Sequence, residues 1–378
     1  MNVPAIVLAA AAALLVPVPA LTAQSAPAEP EMKFGIRVKP GPMDSVLLKD
    51  YKPDSSLVVP VTNVAKARFP VIDAHTHSGM SHIRTAADVD AWVRTMDEVG
   101  VEYSIVFTDA YGDAFAKQIA LFAPHRDRFQ LWCSLDTEKI DDPGYPKRVA
   151  AGVERCYQMG ARGIGEITDK GSGIQEASLP KEKRLHFDDP RLDLAWEACA
   201  RLKMPVNMHI ADHPSAWQPL GPHQERTPDF QTFNLYGKDV LSYEDLLASR
   251  DRLLLRHPKT LFIACHLSNH GNNLASLGKA LDRFPNLYLD ISARDYEIGR
   301  QPRTAAAFLA KYKDRVLYGT DMERDAEMYR GWWRLLETAD EFLPGRIWWP
   351  YYGLDLPDSV LEALYRNNAK RLLNWTAW

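Results

Sequence analysis

Six side chains of this sequence could bind a metal ion or carry a proton, and each lies within or just after a short apolar run. His75 and His77 are two residues apart, so that on a strand both imidazoles would point to the same side. Imidazoles and carboxylates are common ligands of Zn²⁺ and related divalent cations. The sequence predicts a metal site if the fold brings together all six: His75, His77, Glu166, His209, His266 and Asp321.

The apolar runs themselves predict the elements that position these side chains. From residue 70 onward, eight short and almost continuously apolar runs alternate with amphipathic helical patterns, such as residues 88–99, 193–203 and 358–373. Continuous apolar runs are typical of strands that are buried on both faces of a parallel sheet. The predicted strands are residues 70–74, 103–108, 129–135, 161–167, 205–209, 261–266, 287–291 and 316–319.

Eight strands that alternate with helices indicate an α/β protein, with a (β/α)₈ TIM-type barrel formed as a single catalytic domain by residues 67–378. A doubly wound open sheet is the alternative, but the sequence has no glycine-rich phosphate-binding loop after the first predicted strand. In a barrel, the active site lies at the carboxyl ends of the strands. Five predicted strands end in the candidate residues, so we expect the six side chains to meet at one rim.

With these residues in place, the chain resembles the amidohydrolase superfamily, in particular its amidohydrolase 2 family of metal-dependent hydrolases and decarboxylases. The resemblance covers residues 70–378, and its motifs are specific as a set rather than singly. It rests on Asp-Ala-His-Thr-His at 73–77, His-Ile-Ala-Asp at 209–212, His266, Tyr-Gly-Thr-Asp at 318–321, Leu-Pro-Asp-Ser at 356–359 and Tyr-Arg-Asn-Asn-Ala at 365–369.

The resemblance implies a role for each of these residues. His75, His77 and His209 would be metal ligands, and Asp321 would be the fourth. Such a site suits Zn²⁺, with Mn²⁺ or Fe²⁺ as alternatives. A cation with an open position lowers the pKa of bound water and generates hydroxide, and Asp321 would accept the proton. His266 would stabilise a developing oxyanion, act as an acid or base, or bind a second cation.

The number of metal ions depends on Glu166. Many superfamily members have a carboxylated lysine on the fourth strand that bridges two ions, whereas Lys170 of this chain lies in the loop after that strand. The Gly-Glu-Ile run at 165–167 is similar to that of the TatD-like deoxyribonucleases, in which the glutamate takes the bridging place. The alternative is a salt bridge from Glu166 to Arg162 or Lys170, so one ion and two ions both stay open.

Three residues outside the strand ends are candidates for binding the substrate. Arg294 follows the seventh predicted strand and could hold an anionic group, unless it forms an ion pair with Asp290 or Asp295. Trp217 and Arg226 lie in the long connection after the fifth strand, and such long connections are usually functional. They could hold an aromatic ring and a carboxylate. The alternative is a surface loop that packs on its own aromatic residues.

The sequence therefore predicts a metal-dependent hydrolase that uses metal-bound hydroxide to cleave an amide, ester or lactone bond of a small molecule. Asp321 and His266 would be its catalytic residues. The alternative reaction is nonoxidative decarboxylation of an aromatic or unsaturated carboxylic acid, which the same ligands would serve. A barrel that only binds metal or a ligand is a third hypothesis, and the similarity at Glu166 adds a phosphoesterase as a fourth.

Composition and the amino terminus narrow the cellular setting. The chain has 378 residues, and its apolar fraction of 46% excludes extensive disorder. Its net charge of −4 gives no excess of basic residues for binding nucleic acid. Residues 1–23 are typical of a secretory signal peptide cut after Ala23, with a retained membrane anchor as the alternative. Residues 24–66 are predicted to be a leader and an extended arm. We expect a periplasmic or secreted protein, free of the membrane after cleavage, and compatible with a homo-oligomer.

The four cysteines of the chain would permit two disulfide bonds in an exported protein. Cys133 and Cys265 lie inside apolar, strand-like runs, and Cys156 and Cys199 lie in helical patterns. Because unpaired cysteines are commonly buried in such apolar surroundings, we predict four free thiols instead.

Overall fold

The computed structural model describes residues 32–33, 36–37, 41–79, 83–174, 179–322, 324–345 and 349–373. By its internal contacts the chain divides into two compact units, Met1–Val58 and Val59–Trp378. The predicted signal peptide, residues 1–23, lies outside the described residues. The predicted boundary between arm and barrel, at residue 67, falls eight residues after the start of the second unit.

The described residues of the first unit contain two short strands and two short helices. Met32–Lys33 and Ile36–Arg37 pair as a short antiparallel hairpin. Two 3₁₀ helices follow, at Pro42–Ser45 and Leu48–Asp50. The chain then continues without regular structure to the end of the unit.

The described part of the second unit contains eight strands, and these confirm all eight predicted strands. They are buried along most of their length, as their continuous apolar character predicts. The predictions differ from the structure chiefly at the strand ends. The strands are β1 Val71–His77, β2 Val101–Phe107, β3 Phe129–Trp132, β4 Ile164–Asp169, β5 Val206–Ile210, β6 Phe262–Ala264, β7 Leu287–Asp290 and β8 Val316–Leu317.

The strands pair in parallel and in chain order, and they form two sheets. The edge strands of the two sheets contact each other at two places, which we call seams. One sheet contains β1 to β3 and the other contains β4 to β8. At the first seam, Cys133 after β3 forms a parallel bridge with Ile164 of β4. At the second, the main-chain N–H of Ala74 in β1 donates to the Tyr318 carbonyl after β8 at 2.9 Å. The two seams complete a (β/α)₈ barrel, as predicted, and the doubly wound alternative is wrong.

Helices cover the outside of the barrel and connect its strands. They are α1 Ala86–Val99, α2 Gly112–Phe122, α3 Tyr145–Gln158, α4 Asp193–Leu202, α5 Thr227–Phe233, α6 Tyr243–Arg256, α7 Leu274–Arg283, α8 Asp295–Arg300, α9 Pro302–Lys311, α10 Ala326–Glu337, α11 Asp358–Glu362 and α12 Asn368–Leu372. A π-helical turn, Ala363–Asn367, joins the last two. Among the described residues, no helix has the length and apolar character that crossing a membrane requires.

Local sequence explains why these helices form and which face they bury. At the start of α1, the Thr85 hydroxyl accepts a hydrogen bond from the main chain of Asp88, whose carboxylate bonds back to Thr85. This reciprocal capping box satisfies donors that a helix start otherwise leaves unpaired. The apolar stripe of α1 is buried against the barrel and consists of Val89, Trp92, Val93, Met96 and Val99.

One prediction about the cysteines is wrong. Cys133, just after β3, forms a disulfide bond with Cys156 of α3, and their Cα atoms are 6.4 Å apart. The prediction failed because it used only the local context of each cysteine, whereas the barrel packs the end of β3 beside α3. Cys199 and Cys265 are buried free thiols, as predicted.

Candidate metal centre

Asp73 and Gly319 bring β1 and the end of β8 together. The buried carboxylate of Asp73 accepts hydrogen bonds from the main-chain N–H and hydroxyl of Thr320, at 3.1 and 2.7 Å, and from the Tyr329 hydroxyl at 2.9 Å. Gly319 allows a close approach, because a Cβ atom there would lie 2.7 Å from Cβ of His75. This seam therefore places the two histidines of β1 beside the aspartate that follows β8.

The first donor group consists of His75, His77 and Asp321, with one oxygen of Glu166 beside them. The Nε2 atoms of His75 and His77 are 3.3 Å apart, and Asp321 Oδ1 lies 3.7 and 3.4 Å from them. Glu166 Oε2 lies 3.7 and 3.1 Å from the same two nitrogens. Ligands of a tetrahedral zinc ion are about 3.4 Å from one another. The donor atoms therefore surround a space that fits one divalent cation.

The second donor group lies next to the first and consists of Glu166, His209, Cys265 and His266. Glu166 Oε1 lies 2.6 Å from His209 Nδ1, 3.2 Å from His266 Nε2 and 3.2 Å from Cys265 Sγ. The structure thus places His209 in this group rather than in the first. Sequence reasoning did not single out Cys265, because a cysteine at the end of an apolar run is typical of a buried strand residue. Its position before His266 was the available signal.

Buried polar atoms without hydrogen-bond partners, and a concentration of negative charge, make both donor groups suitable for binding a cation. Asp321 Oδ1 and His209 Nε2 are buried and lack hydrogen-bond partners among the described residues. Burial lowers the pKa of His77, but hydrogen bonds to Asp109 and Glu166 outweigh burial and raise the pKa to about 9. Burial raises the pKa of Glu166, but the imidazole of His209 and further imidazole hydrogen bonds hold it well below its ordinary value. The ionised carboxylates therefore draw positive charge to the donor atoms.

The ring nitrogen of His75 that faces away from the donor atoms contacts Asp290. Asp290 is the fully buried last residue of β7, and its Oδ2 lies 3.0 Å from His75 Nδ1. Sequence reasoning considered Asp290 only as an ion-pair partner of Arg294, but the structure pairs it with His75. Carboxylates that bind the outer nitrogen of a histidine orient that histidine toward a metal.

The structure brings together two of the three predicted substrate-binding residues. Arg294 is buried just after β7, donates to the side-chain oxygen of Asn269 and lies 3.8 Å from the carboxylate of Glu297. Arg226 donates to the Tyr296 hydroxyl. The Arg226 and Arg294 guanidinium carbons lie 4.5 and 5.9 Å from the centre of the Tyr296 ring. The two positive charges therefore flank one buried aromatic ring.

The third predicted residue, Trp217, makes contacts within its own connection and the helix that follows. Its indole N–H donates to the Leu241 carbonyl at 2.9 Å, and its ring packs edge-on against Tyr243 at 5.8 Å. The contacts of Trp217 agree with the alternative in which the connection packs on its own aromatic residues.

The alternative salt bridge from Glu166 to Lys170 does not form. Lys170 lies 3.2 Å from the Asp212 carboxylate instead, and the partners of Glu166 are imidazoles and a thiol.

Comparison with known proteins identifies the family. A family model described as amidohydrolase matches residues 72–375, a range that includes both donor groups and every residue of the eight strands except Val71. The chain belongs to the amidohydrolase family. The resemblance drawn from the strand-end motifs is thereby confirmed. No curated protein sequence matches the chain.

Several solved structures share the fold of this amidohydrolase. A 2,6-dihydroxybenzoate decarboxylase from Rhizobium is 16% identical, with a TM-score of 0.51 over 81% of this chain and 99% of that one. A dihydroxybenzoic acid decarboxylase from Polaromonas sp. JS666, with bound manganese and 2-nitroresorcinol, is 17% identical, with a TM-score of 0.50 over 81% and 97%. An amidohydrolase II is 16% identical, with a TM-score of 0.52 over 81% and 100%. At these identities the likeness establishes the barrel fold.

The substitution His77→Ala should abolish tight binding of a divalent cation, because it removes one of the donor atoms around the first space. Elemental mass spectrometry after reconstitution with Zn²⁺ or Mn²⁺ measures the bound metal. The control is His125→Ala, since His125 pairs with Asp90 away from the donor groups. Equal metal content in the two variants would contradict the site.

The substitution Glu166→Ala extends the same measurement to the number of ions. If Glu166 bridges two ions, the wild-type protein binds two per chain and the variant binds one. If the centre holds one ion, the metal content of the wild type is one. Absence of metal from every reconstituted sample would reject the centre altogether.

Proposed function

We propose that this amidohydrolase is a metal-dependent, nonoxidative decarboxylase of an aromatic or unsaturated carboxylic acid. The observation that carries the proposal is the position of His266, whose Nε2 lies 3.7 Å from Oδ2 of Asp321, a member of the first donor group. A side chain that is able to carry a proton therefore lies beside a residue that would hold the cation. The decarboxylases of similar fold support the same reaction and favour it over the hydrolysis that the sequence alone suggested.

The residues of the chain would divide the reaction between them. A cation in the first donor group would attract and orient the oxygen atoms of the substrate. When the bond between the ring carbon and the carboxylate breaks, carbon dioxide leaves and the electron pair stays on the carbon. His266 would donate the proton from Nε2 to that carbon and regain a proton from solvent. Asp321, whose Oδ2 lies 3.7 Å from His266 Nε2, would remain one of the residues that hold the cation.

Hydrolysis of an amide, ester or lactone is the second candidate, and the position of Glu166 favours it. Its Oε2 faces the first donor group at 3.1 Å from His77, and its Oε1 faces the second at 2.6 Å from His209. A carboxylate divided in this way suits two cations, which in hydrolases activate water for attack on a carbonyl. Asp321 would then accept the proton of the water and pass it to the leaving group.

Reaction products distinguish the two candidates. Protein reconstituted with Mn²⁺ or Zn²⁺ is incubated in D₂O with a panel of hydroxybenzoic acids and with a panel of aryl esters, lactones and anilides. We expect release of carbon dioxide and one deuterium on the carbon that lost it. Loss of the proton donor in His266→Gln should lower the decarboxylation rate by about 10²–10⁴-fold.

The matched control for that prediction is His257→Gln, because His257 is also buried but pairs with Asp193. Its rate should equal that of the wild type. Hydrolysis of the ester, lactone or anilide panel without release of carbon dioxide would replace the proposal with the second candidate.

We further propose that Arg294 and Arg226 bind an anionic group of the substrate beside the metal centre. The substitution Arg294→Lys keeps the charge but loses the planar guanidinium, which can hold two oxygens at once. It should raise KM by about tenfold and change kcat little, because the interaction is a binding one. Arg250→Lys is the control, since Arg250 is equally buried but bonds to Ser268 and Asp251. Equal KM values in the two variants would reject this role.

We infer that the protein is exported and cut after Ala23, as its amino-terminal sequence predicts. The disulfide bond between Cys133 and Cys156 supports export, because such bonds persist in oxidising compartments. Mass spectrometry of the exported protein should give a chain that starts at Gln24. Thiol titration in denaturant should find two thiols per chain, Cys199 and Cys265, and four after reduction. An intact amino terminus in the cytosol, with four thiols, would contradict export.

A further inference from the structure

A buried carboxylate outside the donor groups, that of Asp290, contacts two other strands and the segments that follow two strands. Asp290 Oδ2 lies 3.0 Å from His75 Nδ1 and accepts from the side-chain amide of Asn207 at 3.2 Å. Its Oδ1 accepts from the main-chain N–H of His266 at 3.0 Å and from that of Ser292 at 3.1 Å. One fully buried side chain therefore joins β1, β5 and the segments that follow β6 and β7.

The contact with Asp290 determines which nitrogen of His75 carries its hydrogen. An ionised carboxylate can only accept a hydrogen bond, so His75 must donate from Nδ1. The lone pair of the neutral ring then lies on Nε2, the atom that faces His77 and Asp321 in the first donor group. Asp290 thus presents His75 in the one tautomer that can bind a cation at that place.

Ser292 determines the hydrogen of His266 in the same way. The main-chain carbonyl of Ser292 lies 2.9 Å from His266 Nδ1, and a carbonyl can only accept, so Nδ1 carries a hydrogen. The Ser292 hydroxyl lies 2.9 Å from the same nitrogen and 3.2 Å from His75 Nδ1, and it donates to Asp290. His266 Nε2 is therefore the atom that exchanges a proton, and it points toward Glu166 at 3.2 Å.

The backbone at His266 shows why this position needs support. His266, Leu267, Ser268 and Asn269 are four consecutive non-glycine residues with left-handed φ, between 49° and 56°. The left-handed conformation is unfavourable for each such residue, because its Cβ atom lies too close to the following carbonyl oxygen. The hydrogen bond from the His266 main chain to Asp290 stabilises the start of this turn, and the turn directs the imidazole toward the donor groups.

We propose that Asp290 and Ser292 are positioning residues that set the tautomers of His75 and His266 together, and so couple the cation ligand to the proton carrier. The inference rests on the proposed metal-dependent function. It does not depend on which of the two reactions the centre performs, because both use the Nε2 atoms of the two histidines: that of His75 as a ligand, and that of His266 either as a proton carrier or as a ligand. Neither residue would touch the substrate or the cation.

Cation affinity and histidine tautomers test the proposal without any substrate. Asp290→Asn should weaken Zn²⁺ binding by about 10–100-fold, because the amide can donate to His75 Nδ1 and move the hydrogen to Nε2. Competition with a chromophoric chelator measures the affinity. The control is Asp340→Asn, since Asp340 is another buried carboxylate, bonded to Thr62 and Arg334. Its Zn²⁺ affinity should match that of the wild type.

Nitrogen-15 spectra of histidine-labelled, Zn²⁺-loaded protein report the tautomers directly, including in the wild type. We expect Nδ1–H on both His75 and His266, with assignments from His75→Gln and His266→Gln. Ser292→Ala keeps the carbonyl but loses the hydroxyl, so the His266 tautomer should persist while Zn²⁺ affinity falls less than in Asp290→Asn. An Nε2–H tautomer in the wild type, or unchanged Zn²⁺ affinity in folded Asp290→Asn, would overturn the proposal. Both readouts remain valid if the protein decarboxylates nothing.

Discussion

The centre of this barrel depends on the contacts between the carboxylate of Glu166 and the imidazoles around it. The carboxylate lies within 2.6–3.7 Å of nitrogen atoms of four histidines, His75, His77, His209 and His266. Moving an ionised carboxylate out of water costs several kcal/mol, even after the protein relaxes around it. Such a group persists only where hydrogen-bond donors or positive charge surround it. The strand ends meet this requirement by directing two imidazoles toward Glu166 from β1, one from β5 and one from the turn after β6.

Directing those side chains inward requires an unusual backbone at the rim. Residues soon after five of the strands are non-glycine residues with left-handed φ: Asp109, Ala211, His266, Ala293 and Asp321. Left-handed residues without glycine persist only where the surroundings hold them, and they concentrate at functional sites. Here the surroundings are visible in the hydrogen bonds, since Asn269 donates to the Ile210 and Ala211 carbonyls at 3.1 and 3.2 Å. The carboxyl rim therefore carries local strain that the rest of the barrel supports.

The eight strands and the residues at their ends could be predicted from sequence, because burial on both faces leaves a local pattern and the barrel rule then fixes one rim. The partners of Asp290 could not, since its contact with His75 joins residues 215 positions apart. The disulfide bond between Cys133 and Cys156 escaped prediction for a similar reason, as each cysteine has an ordinary apolar context. The grouping of His209 with Cys265 could not be predicted either, because it depends on contacts with Glu166 that span 43 and 99 positions of the sequence.

The two candidate reactions make opposite demands on a single atom, Nε2 of His266. If a second cation binds at the second donor group, this nitrogen gives its lone pair to the cation and cannot carry a proton. If the nitrogen carries a proton to carbon, it cannot be a ligand in the same state. Its distances of 3.2 Å to Glu166 and 3.7 Å to Asp321 are compatible with both uses. The hydrogen held on Nδ1 by Ser292 leaves Nε2 available for either one, so the choice of reaction rests on whether the surrounding carboxylates retain one cation or two.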